Sequence, residues 1–237
     1  MGISMKATNW EFANRALVFG VIFGCSFALY ALDRQSGAAV LANWLESILH
    51  VDAGLAVRAL FGLAAFVLAL AALLRTWASS YLQAGVVYAT EVKTESLVAG
   101  GPYRRVRNPL YLATILMAFG MGALMNRAGF VFAVVAMTLF CYRLILREES
   151  DLAASHGPAY EQYRRAVPRL WPALRPRIAS SGRPAHWSAG FKAEFWCWGC
   201  AAAVAALAVT LSVNWFYLIL AASIALLWLT SLMLRRG

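Results

Sequence analysis

The sequence predicts an all-α fold: a polytopic transmembrane helical bundle of about six spans, with a polar site where the ends of the third and fourth spans meet flanking segments. Three observations carry this. Hydrophobic residues make up 62% of the 237-residue chain, charged residues 14%, and mean hydropathy is +0.64; a soluble domain carries about 25% charged residues. The apolar residues fall into long runs nearly free of charge, each near the length at which a helix crosses the ~30 Å core of a bilayer. Long basic segments, 78–108 and 147–194, separate them, and Lys and Arg collect on the cytoplasmic side of a membrane.

Residues 1–13 are short and polar. Leu17 to Leu32 is the first span; no small-x-small cleavage site precedes Asp33 and Arg34, so it reads as a span and not a signal peptide. Ala38 to Leu49 places Val40, Leu41, Trp44, Leu45 and Ile48 on one face, the pattern of a helix lying in the interface. Gly54 to Trp77 is the second span, with Arg58 able to snorkel at one end and Arg75 marking the other. Leu110 to Met125 and Ala128 to Cys141 form a hairpin around Asn126 and Arg127. Phe195 to Leu211 and Trp215 to Leu234 form another around Ser212 to Asn214. With the N-terminus inside, both basic segments and Arg235–Arg236 fall in the cytoplasm. The outer loops then hold only Arg34 and Arg127, besides Arg58 at its span's end. The expectation is a multi-pass integral protein of the bacterial inner membrane or its equivalent, both termini cytoplasmic. It forms a single membrane domain, 1–237, with a functional cassette at 95–168 and an additional C-terminal hairpin at 195–234.

The net charge of +10 and pI of 9.9 follow from the same topology. No basic tract rides on a soluble domain, so nucleic acid is not an expected partner. The four cysteines are Cys25, Cys141, Cys197 and Cys200. Cys197 and Cys200 have the CxxC spacing but no nearby His, short of the four ligands of a zinc site. Neither a metal site nor a disulfide framework is expected. Trp171, Trp187, Trp196 and Trp198 read as an aromatic belt.

Two polar clusters carry the chemistry. Helices of roughly 16–20 residues joined by a short connection are antiparallel neighbours. Arg107, Asn108 and Pro109 at the start of the third span therefore lie near Arg147, Glu148 and Glu149 at the end of the fourth. Asn108 and Pro109 suit a helix N-cap and first position. Equally, a helix N-terminus with Arg107 suits an anion. Gly100 and Gly101 force a turn where the backbone could approach a ligand. Glu148 and Glu149 sit unfavourably near a helix C-terminus. They read either as a solvated, salt-bridged extension or as a carboxylate pair for a cationic ligand group. Arg143 and Arg147, on neighbouring turns, are candidates for substrate binding. An anion site facing carboxylates suits S-adenosylmethionine, which carries a carboxylate, an ammonium and a sulfonium.

The ordered set resembles the isoprenylcysteine carboxyl methyltransferase and phospholipid methyltransferase superfamily of integral membrane enzymes. The matching residues are Leu97–Val98, Gly101–Pro102–Tyr103, Arg107–Asn108–Pro109–Leu110–Tyr111, Glu148–Glu149, Gly157 to Tyr160, and Pro168. They cover about a third of the chain in the family's order. The resemblance implies that Glu95, Ser96, Leu97, Val98, Tyr103, Asn108, Pro109, Leu110, Tyr111 and Glu148 contact the methyl donor S-adenosylmethionine, with S-adenosylhomocysteine as product. Tyr111 and Glu149 are the candidates for assisting the nucleophile. Two positions depart from the family pattern. Asn108 replaces a His, and Leu144 stands where the eukaryotic prenylcysteine enzymes carry a substrate-facing Arg, which argues against prenylcysteine as acceptor.

The expected function is methyl transfer from S-adenosylmethionine to a lipidic or membrane-partitioned small molecule that reaches the site through the bilayer. One alternative is a reductase similar to the sterol reductases, with a nicotinamide dinucleotide phosphate in the anion site. The other is a non-catalytic transporter or lipid-binding protein, which the nearly charge-free spans disfavour.

Overall fold

The computed structural model describes residues 5–86 and 100–236. Their regular secondary structure is all helical, with no strand among them, and the stretch 167–186 is an extended loop of bends. The α-helices are α1 (Asn9–Ala13), α2 (Arg15–Ala28), α3 (Gly37–Leu49), α4 (Ala53–Val86), α5 (Pro109–Gly122), α6 (Arg127–Ala166), α7 (Trp187–Ala193), α8 (Phe195–Thr210) and α9 (Val213–Arg236). Short 3-10 turns fall at Leu29–Ala31 and Gly101–Arg104. Two of the helices, over Ala53–Leu82 and Arg127–Ala166, are long and apolar enough to cross a membrane. The number rises to three if α7 and α8 form one bent span. Four further apolar helices are shorter.

The boundaries follow local chemistry. α1 begins with a capping box: the Thr8 hydroxyl accepts from the Glu11 N–H, and the Glu11 carboxylate accepts from the Thr8 N–H at 2.6 Å. α5 opens on Pro109, whose missing N–H costs nothing at a first helical position. It ends at Gly122, before the expected Met125, so its 14 residues rise only about 21 Å. A side chain at Gly122 would collide with the Phe130 ring at 2.1 Å. Asn126 caps α6, its Oδ1 accepting from Gly129 N at 2.7 Å. α6 then extends well past the expected span and is broken inside at Gly157, with φ 52° and ψ −128°. Only glycine adopts that backbone readily, and Pro158 then starts the second helical piece.

The chain divides into two compact units. The first comprises Met1–Phe19, Leu73–Ile115 and Met137–Glu194. Val106, Met137, Leu144, Ile145, Tyr160 and Val167 are its most deeply buried large side chains. The second comprises Gly20–Ala72, Leu116–Ala136 and Phe195–Gly237, with Leu68, Met125 and Val204 at its centre. In this second unit Asn126 is fully buried and donates to the carbonyls of Leu29 and Asp33. Arg58 donates to the Val209 carbonyl, placing a cation at the C-terminal end of α8 where the helix dipole favours it.

Candidate functional site

Every polar cluster described next belongs to the first unit. Glu149 is the centre of the largest. It is 4% exposed, and four donors converge on it. Arg169 reaches it in a fork through Nε and Nη2, at 3.1 and 2.8 Å. Arg107 Nη2 lies 3.3 Å away. Asn108 Nδ2 donates to it at 3.2 Å and to the Arg169 carbonyl at 3.1 Å. The Glu149 hydrogen bond holds Arg169 above its ordinary pKa. Asn108 thus spends its amide on Glu149 and on the segment after α6, an arrangement neither sequence reading of it contained.

Glu148, one residue earlier, points elsewhere because adjacent helical residues diverge by about 100°. It accepts a 2.7 Å hydrogen bond from the Tyr111 hydroxyl. A third cluster joins α4 to the residue after α7. Arg75 Nε and Nη2 donate to Glu194 at 2.5 and 3.3 Å, Arg75 Nη1 donates to Thr114 at 2.9 Å, and Ser79 donates to Glu194 at 2.6 Å. Gly190 permits this approach, since a Cβ there would lie 2.6 Å from the Thr76 carbonyl oxygen.

The N-terminal segment closes against α6. Ala7 N–H donates to the Arg143 carbonyl at 3.1 Å, and Arg143 Nη2 donates to Glu11 at 2.7 Å. Lys6 donates to Ser150 at 2.8 Å, and Arg147 donates to the Ala7 carbonyl. Arg15 and Arg147 both stack on Phe12, 4.8 and 4.9 Å from its centroid. The Thr8 backbone hydrogen bond, with Arg143 beside it, holds the Glu11 carboxyl below the ordinary carboxylate pKa despite partial burial.

Between these clusters lies a cavity of about 440 Å³, lined by Arg15, Phe19, Arg75, Leu82, Tyr103, Arg107 to Tyr111, Thr114, Glu148, Leu152, His156, Tyr160 and Tyr163. That volume suits a small-molecule site. The Arg107 side chain is 8% exposed, yet its Nε and Nη1 have no hydrogen-bond partner among the described residues. Burying such donors unsatisfied is costly, which leaves this part of the wall able to donate to an acceptor. Tyr163 fastens the second piece of α6 over the cavity by donating to the Tyr103 carbonyl at 2.9 Å. Burial pushes the Tyr103 hydroxyl well above the ordinary tyrosine pKa, so it stays protonated at neutral pH.

Of the residues singled out in the sequence, Tyr103, Arg107, Asn108, Pro109, Leu110, Tyr111 and Glu148 come together on the cavity wall. Glu149 does not line it and stands behind Arg107 and Asn108. Arg143 and Arg147 do not line it either; they hold the N-terminal segment. Glu95, Ser96, Leu97 and Val98 lie outside the described residues. The close approach at Gly100 and Gly101 is made to the ring of Tyr81, not to open space: a Cβ on either would come within 2.4 Å of it. Arg15, Phe19, Arg75 and His156 line the cavity without having been singled out as site residues. For Arg75 a signal existed, since a basic residue at one span's end and Glu194 at the edge of another are potential partners.

Comparison with known proteins gives the family. The phospholipid methyltransferase family model matches residues 57–158. The cobalt-zinc-cadmium resistance protein CzcN of Cupriavidus metallidurans is 31% identical over 176 residues, 73% of this chain and 70% of that protein. Methanethiol S-methyltransferase of Crocosphaera subtropica is 47% identical over 70 residues, 30% of this chain and 27% of that protein. Protein-S-isoprenylcysteine O-methyltransferase of Schizosaccharomyces pombe is 34% identical over 97 residues, 38% of this chain and 41% of that protein. The chain thus spans most of the resistance protein but less than half of either named methyltransferase. No solved structure gives a significant match. The chain belongs to the phospholipid methyltransferase and isoprenylcysteine carboxyl methyltransferase-like superfamily of membrane methyltransferases.

Proposed function

We propose that this protein transfers a methyl group from S-adenosylmethionine to a lipidic or membrane-partitioned small molecule, and that the cavity of the first unit is where it does so. The observation that carries this reading is the pairing of opposite charges on one wall. Arg107 offers two buried nitrogens that have no partner among the described residues, and Glu148 offers a carboxylate oriented by Tyr111. Arg107 would hold the donor's carboxylate and Glu148 its ammonium, through charge-assisted hydrogen bonds. Bound there, S-adenosylmethionine supplies a methyl group activated by its sulfonium.

The remaining residues act by position. Glu149, shared by Arg107, Arg169 and Asn108, fixes the Arg107 guanidinium. Tyr111 aligns Glu148, and Tyr103 provides a neutral hydroxyl on the wall. Tyr160 and Tyr163, carried on the piece of α6 after Gly157, cover the cavity and exclude water. Phe19, Leu82, Leu110 and Leu152 provide the apolar lining that a membrane-partitioned acceptor requires. The cassette 95–168 with the C-terminal hairpin 195–234, six spans and cytoplasmic termini complete the proposal; the basic segments and the apolar helices support it.

The test is a transfer assay. Membranes containing the protein are incubated with methyl-labelled S-adenosylmethionine and lipid extract. Label should pass into an organic-soluble product, and Arg107→Ala should abolish the transfer. Reduction of a lipid by a nicotinamide dinucleotide phosphate, without label transfer, would establish the reductase alternative instead.

A further inference from the structure

The segment after α6 displays its largest apolar side chains outward. Trp171 is 86% exposed and Leu174 is 95% exposed. Loose chain is not the cause, because the backbone is tied down at successive points. Arg107 N–H donates to the Pro168 carbonyl at 2.9 Å, Ala173 N–H to the Arg105 carbonyl at 2.9 Å, and Arg177 N–H to the Arg104 carbonyl at 2.8 Å. Arg104 and Arg105 side chains return the favour, to the carbonyls of Ile178 and Leu174 at 2.9 and 2.5 Å.

These bonds also set a depth. The segment lies alongside residues 104–107, immediately before the apolar helix α5 takes over at Pro109 and Leu110. That is the level at which an apolar helix meets the polar headgroups, where Trp is enriched and long basic side chains reach outward. The local charge has one sign. No Asp or Glu occurs between Glu161 and Glu194. Arg175 and Arg177 are exposed, and neither forms an ion pair among the described residues.

We propose that the tethered loop from Pro168 to Ile178 is a membrane-surface anchor: Trp171 and Leu174 insert at the level of the headgroups, and Arg175 and Arg177 bind anionic phospholipid headgroups. Charge complementarity selects the occupant, since an anionic leaflet attracts such a basic cluster. The first turn of the loop reaches the support behind the cavity wall, because Arg169 forks onto Glu149, which holds Arg107 and Asn108. Anchoring therefore holds the support of Arg107 in place.

Tryptophan quenching by brominated lipids in nanodiscs tests this on the full chain, independently of catalysis. The difference between wild type and Trp171→Phe isolates the Trp171 signal. In phosphatidylcholine nanodiscs with a minority of phosphatidylglycerol, only one lipid is brominated at a time. The expected result is quenching by both lipids, with phosphatidylglycerol enriched around Trp171. In Arg175→Gln/Arg177→Gln that enrichment should fall by roughly tenfold. Three results overturn the proposal. Quenching that ignores lipid charge and survives the double substitution removes the anionic site. Quenching by aqueous acrylamide but not by lipid places Trp171 in water. Shielding from both would show that protein covers it, either residues 87–99 or a second copy of the chain.

Discussion

Glu149→Ala is the most informative perturbation of the buried network. Glu149 neutralises two guanidinium groups, Arg107 at 3.3 Å and Arg169 at 2.8 Å, and accepts from Asn108. The Arg107 side chain is 8% exposed and already holds two nitrogens without a partner among the described residues. Removing Glu149 deprives it of its only carboxylate among the described residues and leaves a buried charge unpaired there. Breaking a buried pair in this way costs about 3–5 kcal/mol. For a chain of this size that corresponds to a fall in thermal midpoint on the order of 10 °C. Glu149→Gln keeps the shape and an acceptor oxygen, so its cost should be roughly half as large. The assay is thermal unfolding in detergent followed by tryptophan fluorescence, with donor affinity measured in parallel. Both stability and donor affinity should fall, in the order wild type, Gln, Ala. Unchanged stability and donor affinity with loss of turnover alone would refute the reasoning and make Glu149 a group acting directly on the reacting atoms.

Three further predictions concern the cavity and its surroundings. Arg107→Gln and Glu148→Gln should each weaken donor binding by about tenfold to a hundredfold, the value of a charge-assisted hydrogen bond, as read by calorimetry; unchanged affinity in both would remove them from the donor site. Gly157→Ala meets no atom within 4 Å, so its cost is backbone strain alone at φ 52°, about 1–3 kcal/mol; it should open the Tyr160–Tyr163 cover to limited proteolysis, and an unaltered cleavage pattern would count against the cover. Because Glu11 titrates below its ordinary value in the folded chain, its attachment of α1 to Arg143 is complete above the ordinary carboxylate pKa and fades as pH falls through the lowered one. Hydrogen exchange in residues 7–13 should rise over that acidic range in wild type but not in Glu11→Gln, whose exchange should be high throughout; a flat wild-type profile would reject the clasp.

The meeting of the two polar clusters was legible because it follows from lengths. Two apolar runs joined at Asn126–Arg127 must return, and Tyr111–Glu148 and Asn108–Glu149 meet as that geometry requires. The division of labour between Glu148 and Glu149 was not legible, because neighbours on a helix face different partners and nothing in the sequence says which side is the cavity. Arg169 was a further unknown: its attachment to Glu149 depends on the fold-back at Gly157, which a Gly–Pro pair permits but does not direct. The N-terminal wall was missed for a different reason. Arg15 and Phe19 reach the cavity only because the preceding residues are fastened to Arg143, Arg147 and Ser150, more than 130 positions away, and periodicity carries no information about such pairings. Arg75 and Glu194, 119 residues apart, are the same case.

Whether the cavity holds a methyl donor between Arg107 and Glu148 is tested most directly by hydrogen exchange on the purified protein with S-adenosylhomocysteine, and separately with a nicotinamide dinucleotide phosphate. Saturable binding of S-adenosylhomocysteine, with protection of residues 103–111 and 156–163 that in Arg107→Gln requires about tenfold to a hundredfold more ligand, is the predicted result. Protection of the same residues by the dinucleotide and not by S-adenosylhomocysteine would contradict it.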